Sequence, residues 1–205
     1  IYKLEQDVSP VTTSAVAKQL GISPASVSEM AGKLAEQGLV TREPYKGVAL
    51  TAKGKSQALT LIRRHRLWER FLTDVLGLSW DQVHEEACRL EHITSPLVEE
   101  RLAQFLGEPE TCPHGHPVPT ADGEMAIEAG YPLAKLTAGQ RARVLRVPED
   151  DVDLLRYLAT LGLKPQATVQ VEVVAPFQGP LTLRVGEAQH VLGQELASRI
   201  VVRPL

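Results

Sequence analysis

Two stretches of the chain concentrate side chains able to hold a metal ion: His65 and Glu69 in RRHRLWERFL, and His84, Cys88, Glu91 and His92 in VHEEACRLEH. If the second stretch is helical, at roughly 100° per residue, positions 84, 88, 91 and 92 fall near about 0°, 40°, −20° and 80°, so nitrogen, sulfur and oxygen donors share one face. His65 and Glu69 stand one helical turn apart in the same way. Imidazole, thiolate and carboxylate together suit a first-row divalent cation. Val83, Ala87, Leu90 and Ile93 form a separate apolar set for packing, so the donors are an addition to the fold and not its filling.

A catalytic use of these donors is not expected. HEEAC approaches the H-E-x-x-H pattern of zinc proteases, but Cys88 stands where the second histidine is required. No serine-nucleophile motif and no phosphate loop accompanies it. A metal-dependent hydrolase built on this helix, or a DNA-binding regulator sensing redox through Cys88, are the alternatives to a metal sensor.

Composition narrows the setting. With 205 residues, 43% hydrophobic and 23% charged, the chain can build one ordinary core or two to three small ones. No apolar run nears the roughly 18 residues that span a bilayer, and IYKLEQDVSP lacks a signal peptide's basic and apolar regions. A cytoplasmic protein without membrane contact is expected. Two cysteines, Cys88 and Cys112, make no disulfide framework. The first residue is Ile1, so an N-terminal piece is expected to be missing. The net charge of −3 is unevenly spread: residues 1–66 carry ten Lys/Arg and five Asp/Glu, the remainder twelve and twenty. A basic front on an acidic body fits an electrostatic footprint for DNA.

The elements that place these groups follow from periodicity. TTSAVAKQL puts Val16, Ala17 and Leu20 on one face, Gly21 breaks the helix, and Ser23 or Pro24 opens SPASVSEMAGKLAEQ with Val27, Met30, Ala31 and Leu34 inward. That is a helix-turn-helix, whose second helix presents Ser26, Ser28, Glu29 and Lys33. Leu39–Thr41 and Val48–Leu50 form a wing around a Pro44-Tyr45-Lys46-Gly47 turn, with Arg42, Lys46, Lys53 and Lys55 close by. The expected DNA-contacting set is Ser23, Ser26, Ser28, Glu29, Lys33, Arg42, Tyr45 and Lys46. A long helix is expected from Leu59 to Leu76, stopped by Gly77, and the donor-bearing helix is expected to begin after Ser79 as its N-cap.

At this point the segment RRHRLWERFLTDVLGLSWDQVHEEACRLEHITSPLVEERL resembles the metal-binding and dimerisation core of the diphtheria-toxin-repressor family of metal-dependent transcription factors. The resemblance runs over nearly the whole chain. It implies a homodimeric repressor that binds a palindromic double-stranded DNA operator when a divalent metal is bound, with two metal sites per subunit. Position by position, His65, Glu69 and His84 correspond to the ancillary site, and Cys88, Glu91 and His92 to the primary regulatory site. A further primary ligand, Met or Asp in the family, would precede Ile1. Cys88 resembles the iron-responsive branch, whereas SPASVSEMAGKLAEQGLVTREPYKGVALTAKGK looks closer to manganese regulators, so Mn2+ and Fe2+ both stay open, with Zn2+, Co2+ or Cd2+ as surrogates.

The tail has its own pattern. FLGEPETCPHGHPVPTADGE is rich in Pro and Gly; Cys112, His114 and His116 offer three donors within five residues, short of a closed site, and read as an ordered loop. ARVLRV, ATVQVEVVA, LTLRV and SRIVVRPL alternate like strands, with one helix, DVDLLRYLATLG, ending at Gly162. Short strands of this kind suggest a small β-barrel, similar to the SH3-like module of the same family and of ferrous-transport accessory proteins. By that resemblance Glu149, Asp150 and Asp151 are candidates to complete the ancillary site. The expected architecture is α+β: a winged helix-turn-helix over 1–58, a helical metal-binding and dimerisation domain over 59–124, and an SH3-like barrel over 131–205.

Overall fold

A computed structural model of the chain describes residues 1–5, 8–43, 46–126, 128–149 and 151–205. Tyr45 and Asp150, both named above as candidate site residues, lie outside the described residues. Two units are distinguished, Ile1–Leu61 and Ile62–Leu205.

In the first unit the chain runs α1 (Tyr2–Glu5), α2 (Thr13–Leu20), α3 (Pro24–Glu36), β1 (Val40–Glu43) and β2 (Gly47–Leu50), and then enters α4 (Ala52–Asp74). Side chains set the helix starts. Thr12 accepts the Ala15 N–H and Ser23 accepts the Ser26 N–H, satisfying donors that the helices leave open. Gly21, at φ 65°, ends α2 in the left-handed region that a side chain resists. Val11, Val16, Ala17 and Val27 form the core, and β1 pairs antiparallel with β2 from Val40↔Leu50 to Glu43↔Gly47. The helix-turn-helix and its wing are therefore present. Leu20 and Met30, expected inward, are instead exposed; α2 and α3 meet through small Val and Ala side chains, which bury only a narrow stripe. The fourth helix starts seven residues before the expected Leu59, because Thr51 Oγ1 accepts the Gly54 N–H as a cap and the polar first turn carries no apolar period to reveal it.

In the second unit α4 is followed by α5 (Val83–Glu91) and α6 (Pro96–Phe105). Leu67, Leu102, Ala103 and Val118 make one buried cluster and Leu72, Val83 and Ala87 another, with Trp68 touching both. Ser79 does not cap α5: residues 79–82 form a turn closed by the Gln82 N–H on the Ser79 carbonyl, and the helix begins at Val83. Ile93, read as part of the packing face, lies beyond the helix end and is exposed.

The rest of this unit is β3 (Tyr131–Pro132), β4 (Arg141–Arg146), α7 (Val152–Thr160), β5 (Thr168–Val174), β6 (Leu181–Val185), β7 (Ala188–Leu192), α8 (Gln194–Arg199) and β8 (Val201–Pro204). The sheet is antiparallel in the order β3-β8-β4-β5-β6-β7. Alternate residues such as Ala142, Val144, Val169, Val171, Leu181 and Leu183 fill its core, which also takes Leu155 and Leu158 of α7. Strand β7 and helix α8 were not anticipated, since AQHVL and QELASR are too polar and short to show a period. The class is α+β, as expected. No helix is long and apolar enough to cross a membrane among the described residues.

Candidate functional site

Four separate segments of the second unit converge on one buried carboxylate. Helix α4 carries His65 and Glu69 a turn apart, α5 carries His84 and Cys88 likewise, the loop after α6 supplies Cys112 and His114, and the segment after β4 supplies Glu149. The loop is built to reach inward. Its turn is closed by Cys112 N–H on His116 O (2.8 Å) and Gly115 N–H on Cys112 O (2.9 Å). Gly115 sits at φ 86°, and a Cβ there would lie 1.9 Å from the Leu145 carbonyl oxygen, so only glycine lets the loop press against β4. From α4, buried Arg63 donates to Pro119 O at 2.6 Å, and buried Arg66 donates to Pro117 O.

The result is a quartet, Glu69, Cys112, His114 and Glu149, all buried and each with a donor atom within 4.8 Å of the others. Glu69 Oε1 lies 3.4 Å from His114 Nδ1, and Cys112 Sγ lies 3.9 Å from the same nitrogen. Tetrahedral bonds of about 2.0–2.3 Å would set donors roughly 3.3–3.8 Å apart; the Glu69–His114 separation lies in that range and the Cys112–His114 separation just beyond it. Glu69 Oε2 is buried with no hydrogen-bond partner among the described residues. Such an atom costs about 1–3 kcal/mol if nothing binds it, and a cation would supply the missing contact. Two carboxylates, one thiolate and one imidazole fit a divalent transition-metal ion. His114 is held ready for this role: Nε2 faces the Trp80 carbonyl at 2.7 Å, and because a carbonyl only accepts, Nε2 carries the proton and Nδ1 faces the quartet.

A second group, His65, His84 and Cys88, adjoins the first. Cys88 Sγ is 3.9 Å from His65 Nδ1 and 3.8 Å from His84 Nε2. His65 joins the groups: Nδ1 is 2.7 Å from Glu91 Oε2, while Nε2 is 3.1 Å from both Glu69 Oε1 and His84 Nδ1. His92 is mostly exposed and stands 3.2 Å from Glu91 Oε1. The triad expected from the resemblance, His65, Glu69 and His84, is together: Glu69 Oε1 lies 3.1 Å from His65 Nε2 and 3.6 Å from His84 Nδ1. Glu69 also faces Cys112 and His114, Cys88 approaches His65 and His84, and Glu91 lies against His65 and His92.

Of the barrel candidates, Glu149 enters the quartet, Asp151 instead accepts the Leu154 N–H as the cap of α7, and Asp150 lies outside the described residues. His116 is directed to the Val147 carbonyl at 2.9 Å. The residues that the sequence reading passed over are Cys112 and His114, taken there as part of a closing loop; the short CPH spacing was their only signal.

Electrostatics follow from the burial. His65 is disfavoured as a cation by burial, yet its hydrogen bonds to Glu69 and Glu91 prevail and its pKa rises to about 9. Burial likewise opposes the charge on Glu69, but contacts from His114, His65 and His84 hold its carboxyl well below the usual range. Burial, then the charges of Glu69 and Glu149, push the Cys112 thiol well up. Burial opposes the charge on His114 too, but the contact and charge of Glu69, the Trp80 carbonyl and the charge of Glu149 together raise it. In the metal-free protein the histidines therefore act as counter-charges that an incoming dication would replace.

In the first unit, Ser23, Ser26, Glu29, Lys33, Arg42 and Lys46 are exposed and Ser28 half-buried. Ser23 and Ser26 share a 2.9 Å hydroxyl contact, Arg42 donates to Ser28 at 3.3 Å, and Lys33 pairs with Glu29 at 2.8 Å. The Arg42 bond ties the wing to α3. Thr12, Thr13, Ser14, Arg42, Glu43 and Lys46 line a groove between α2 and the wing; Lys46 pairs there with Glu43 at 3.1 Å, and the hydroxyls and the two cations are groups that can meet phosphate.

Three family models match the chain: "Iron dependent repressor, N-terminal DNA binding domain" over residues 1–48, "Iron dependent repressor, metal binding and dimerisation domain" over 51–120, and "FeoA domain" over 131–204. The chain is 33% identical over 218 aligned positions to the iron-dependent repressor IdeR of Mycobacterium leprae, covering 98% of this chain and 93% of that one. It is 37% identical over 214 positions to the diphtheria toxin repressor of Corynebacterium diphtheriae, covering 100% and 94%. Among solved structures it is similar to a manganese-dependent transcriptional repressor in complex with manganese, with a TM-score of 0.86, 37% identity, and coverage of 95% of this chain and 91% of that one.

Proposed function

The chain belongs to the iron-dependent repressor family, that of the diphtheria toxin repressor, and from that premise we propose how its donors and its winged helix divide the work of a metal-dependent transcriptional repressor. Glu69, Cys112, His114 and Glu149 would hold one divalent ion. His65, His84 and Cys88, with Glu91 and His92 beside them, would hold the ion whose arrival is read out. When bound, such an ion supplies positive charge and fixed coordination in place of protons on His65 and His114. Fe2+ and Mn2+ are the physiological candidates; the thiolates favour iron, zinc or cobalt on softness, and availability in the cell decides among them. Ser23, Ser26, Ser28, Glu29, Lys33, Arg42, Tyr45 and Lys46 would meet DNA, with the serines and Glu29 near base edges and the cations on phosphates. Two copies would place their recognition helices on the half-sites of a palindromic operator. We read the donors as a sensing centre and not as a hydrolytic one.

The observation that carries this reading is Glu69: fully buried, with Oε1 facing three imidazoles and Oε2 without a hydrogen-bond partner among the described residues. A purely structural ion pair would not need so many neutralisable ligands around one carboxylate. The test is a gel-shift titration on palindromic duplexes with Mn2+, anaerobic Fe2+, Zn2+ and chelator. Metal should drive the shift and chelator reverse it; tight binding indifferent to chelator would sink the proposal.

A further inference from the structure

The link between the quartet and the barrel runs through one residue of the turn before α5. Trp80 does three things at once. Its carbonyl accepts the Nε2–H of His114 at 2.7 Å. Its ring stacks on the imidazole, with centroids 5.7 Å apart and planes 26° apart. The same ring packs against the barrel core formed by residues such as Leu155 and Leu158. Its neighbour Asp81 pairs with Arg156 of α7 at 2.9 Å. The imidazole, which is fully buried, thus has its tautomer fixed from one side and its plane from another.

We propose that Trp80 is a positioning residue for the quartet, presenting His114 Nδ1 to Glu69 and Cys112, and that through its ring it couples occupation of the quartet to the docking of the barrel. This rests on the reading of the quartet as a metal site. A ligand imidazole is free to spin about its side-chain bonds unless its second nitrogen and its face are both engaged, and partners of this kind change metal affinity by roughly 10–100-fold when removed. Trp80 engages both. Glu149, which the barrel contributes, is a member of the quartet, and Trp80, which packs on the barrel core, holds its member His114, so filling the quartet and seating the barrel favour each other.

The experiment uses Co2+ on the full chain under anaerobic conditions, following the charge-transfer absorption of a cobalt–thiolate bond. Cys112→Ser serves as the marker of the quartet and should lose its share of that absorption. Trp80→Phe keeps an aromatic face on His114 and should bind like the wild type. Trp80→Leu leaves the backbone carbonyl on Nε2–H and removes the ring, so it should weaken Co2+ binding about 2- to 10-fold, shift the absorption band, and lose the slowing of amide exchange that Co2+ confers on α7. Wild-type affinity, band and exchange in Trp80→Leu, with Cys112→Ser still losing its absorption, would overturn the positioning role while leaving the metal site standing. Absence of any Cys112-dependent band in the wild type would overturn both. If Trp80→Leu does not fold, Trp80 emission in a Trp68→Phe background decides: a change saturating with bound Co2+ and absent in Cys112→Ser supports the coupling, and an unresponsive emission refutes it.

Discussion

At the scale of single residues, the proposed metal would compete with protons held on His65 and His114. His65 has a folded pKa of about 9, above its unfolded value, so it contributes stability that is fully present below about pH 6.5 and is lost as pH rises toward 9. His114 is raised as well and acts with the same sign. For His65 the span corresponds to at most about 3 kcal/mol, and about 1 kcal/mol moves the midpoint of a chain this size by ~2–4 °C. Chelator-treated protein should therefore melt several degrees lower at pH 9 than at pH 6.5, and His65→Gln should flatten that profile; a profile unaltered by the substitution would show that His65 carries no such proton. The sequence made His65, Glu69, His84 and Cys88 legible because each pair is one helical turn apart. It hid Cys112 and His114, whose partner Glu69 lies more than forty positions earlier, since periodicity reports only neighbours along an element.

Among the elements, the loop from Cys112 to Pro119 and the wing decide the most. The loop has little periodic structure and is fixed by Gly115 against β4 and by Arg63 and Arg66 from α4. A Gly115→Ala substitution adds a clash with the Leu145 carbonyl to an unfavourable positive φ, so a loss of at least about 2 kcal/mol is expected. Denaturant melts and Co2+ titration should both fall; an unchanged Co2+ affinity would mean that the loop need not press on β4 for the quartet to form. In the wing, Arg42 bonds Ser28 of α3. Arg42→Ala should reduce the salt slope of DNA binding by about 1 if the side chain meets a phosphate, and an unchanged slope would remove it from the interface. Elements with strong periods, such as α2, α3, β4 and β5, were readable from the sequence. The start of α5 was not, because Ser79 has the chemistry of a cap but Trp80 turns the chain to face the barrel first.

For the molecule as a whole, the order of modules was legible because each type has its own pattern: short capped helices with a hairpin, long helices bearing donors, then alternating strands. The arrival of Cys112, His114 and Glu149 beside Glu69 was not, since it depends on how a loop and a barrel segment fold back onto α4. The first unit carries seven Lys/Arg and five Asp/Glu, the second fifteen and twenty, so the first is weakly basic and the second, which holds the candidate metal donors, is acidic. A repressor of this design must obey linkage: a metal that tightens operator binding by some factor is itself bound more tightly by that factor on the operator. The most direct test is a reciprocal titration, in which operator affinity is measured by anisotropy with and without saturating Mn2+ or anaerobic Fe2+, and metal affinity is measured with and without operator. The account predicts equal factors, at least about 10-fold, that collapse together in Glu69→Gln; operator affinity unmoved by metal would contradict it.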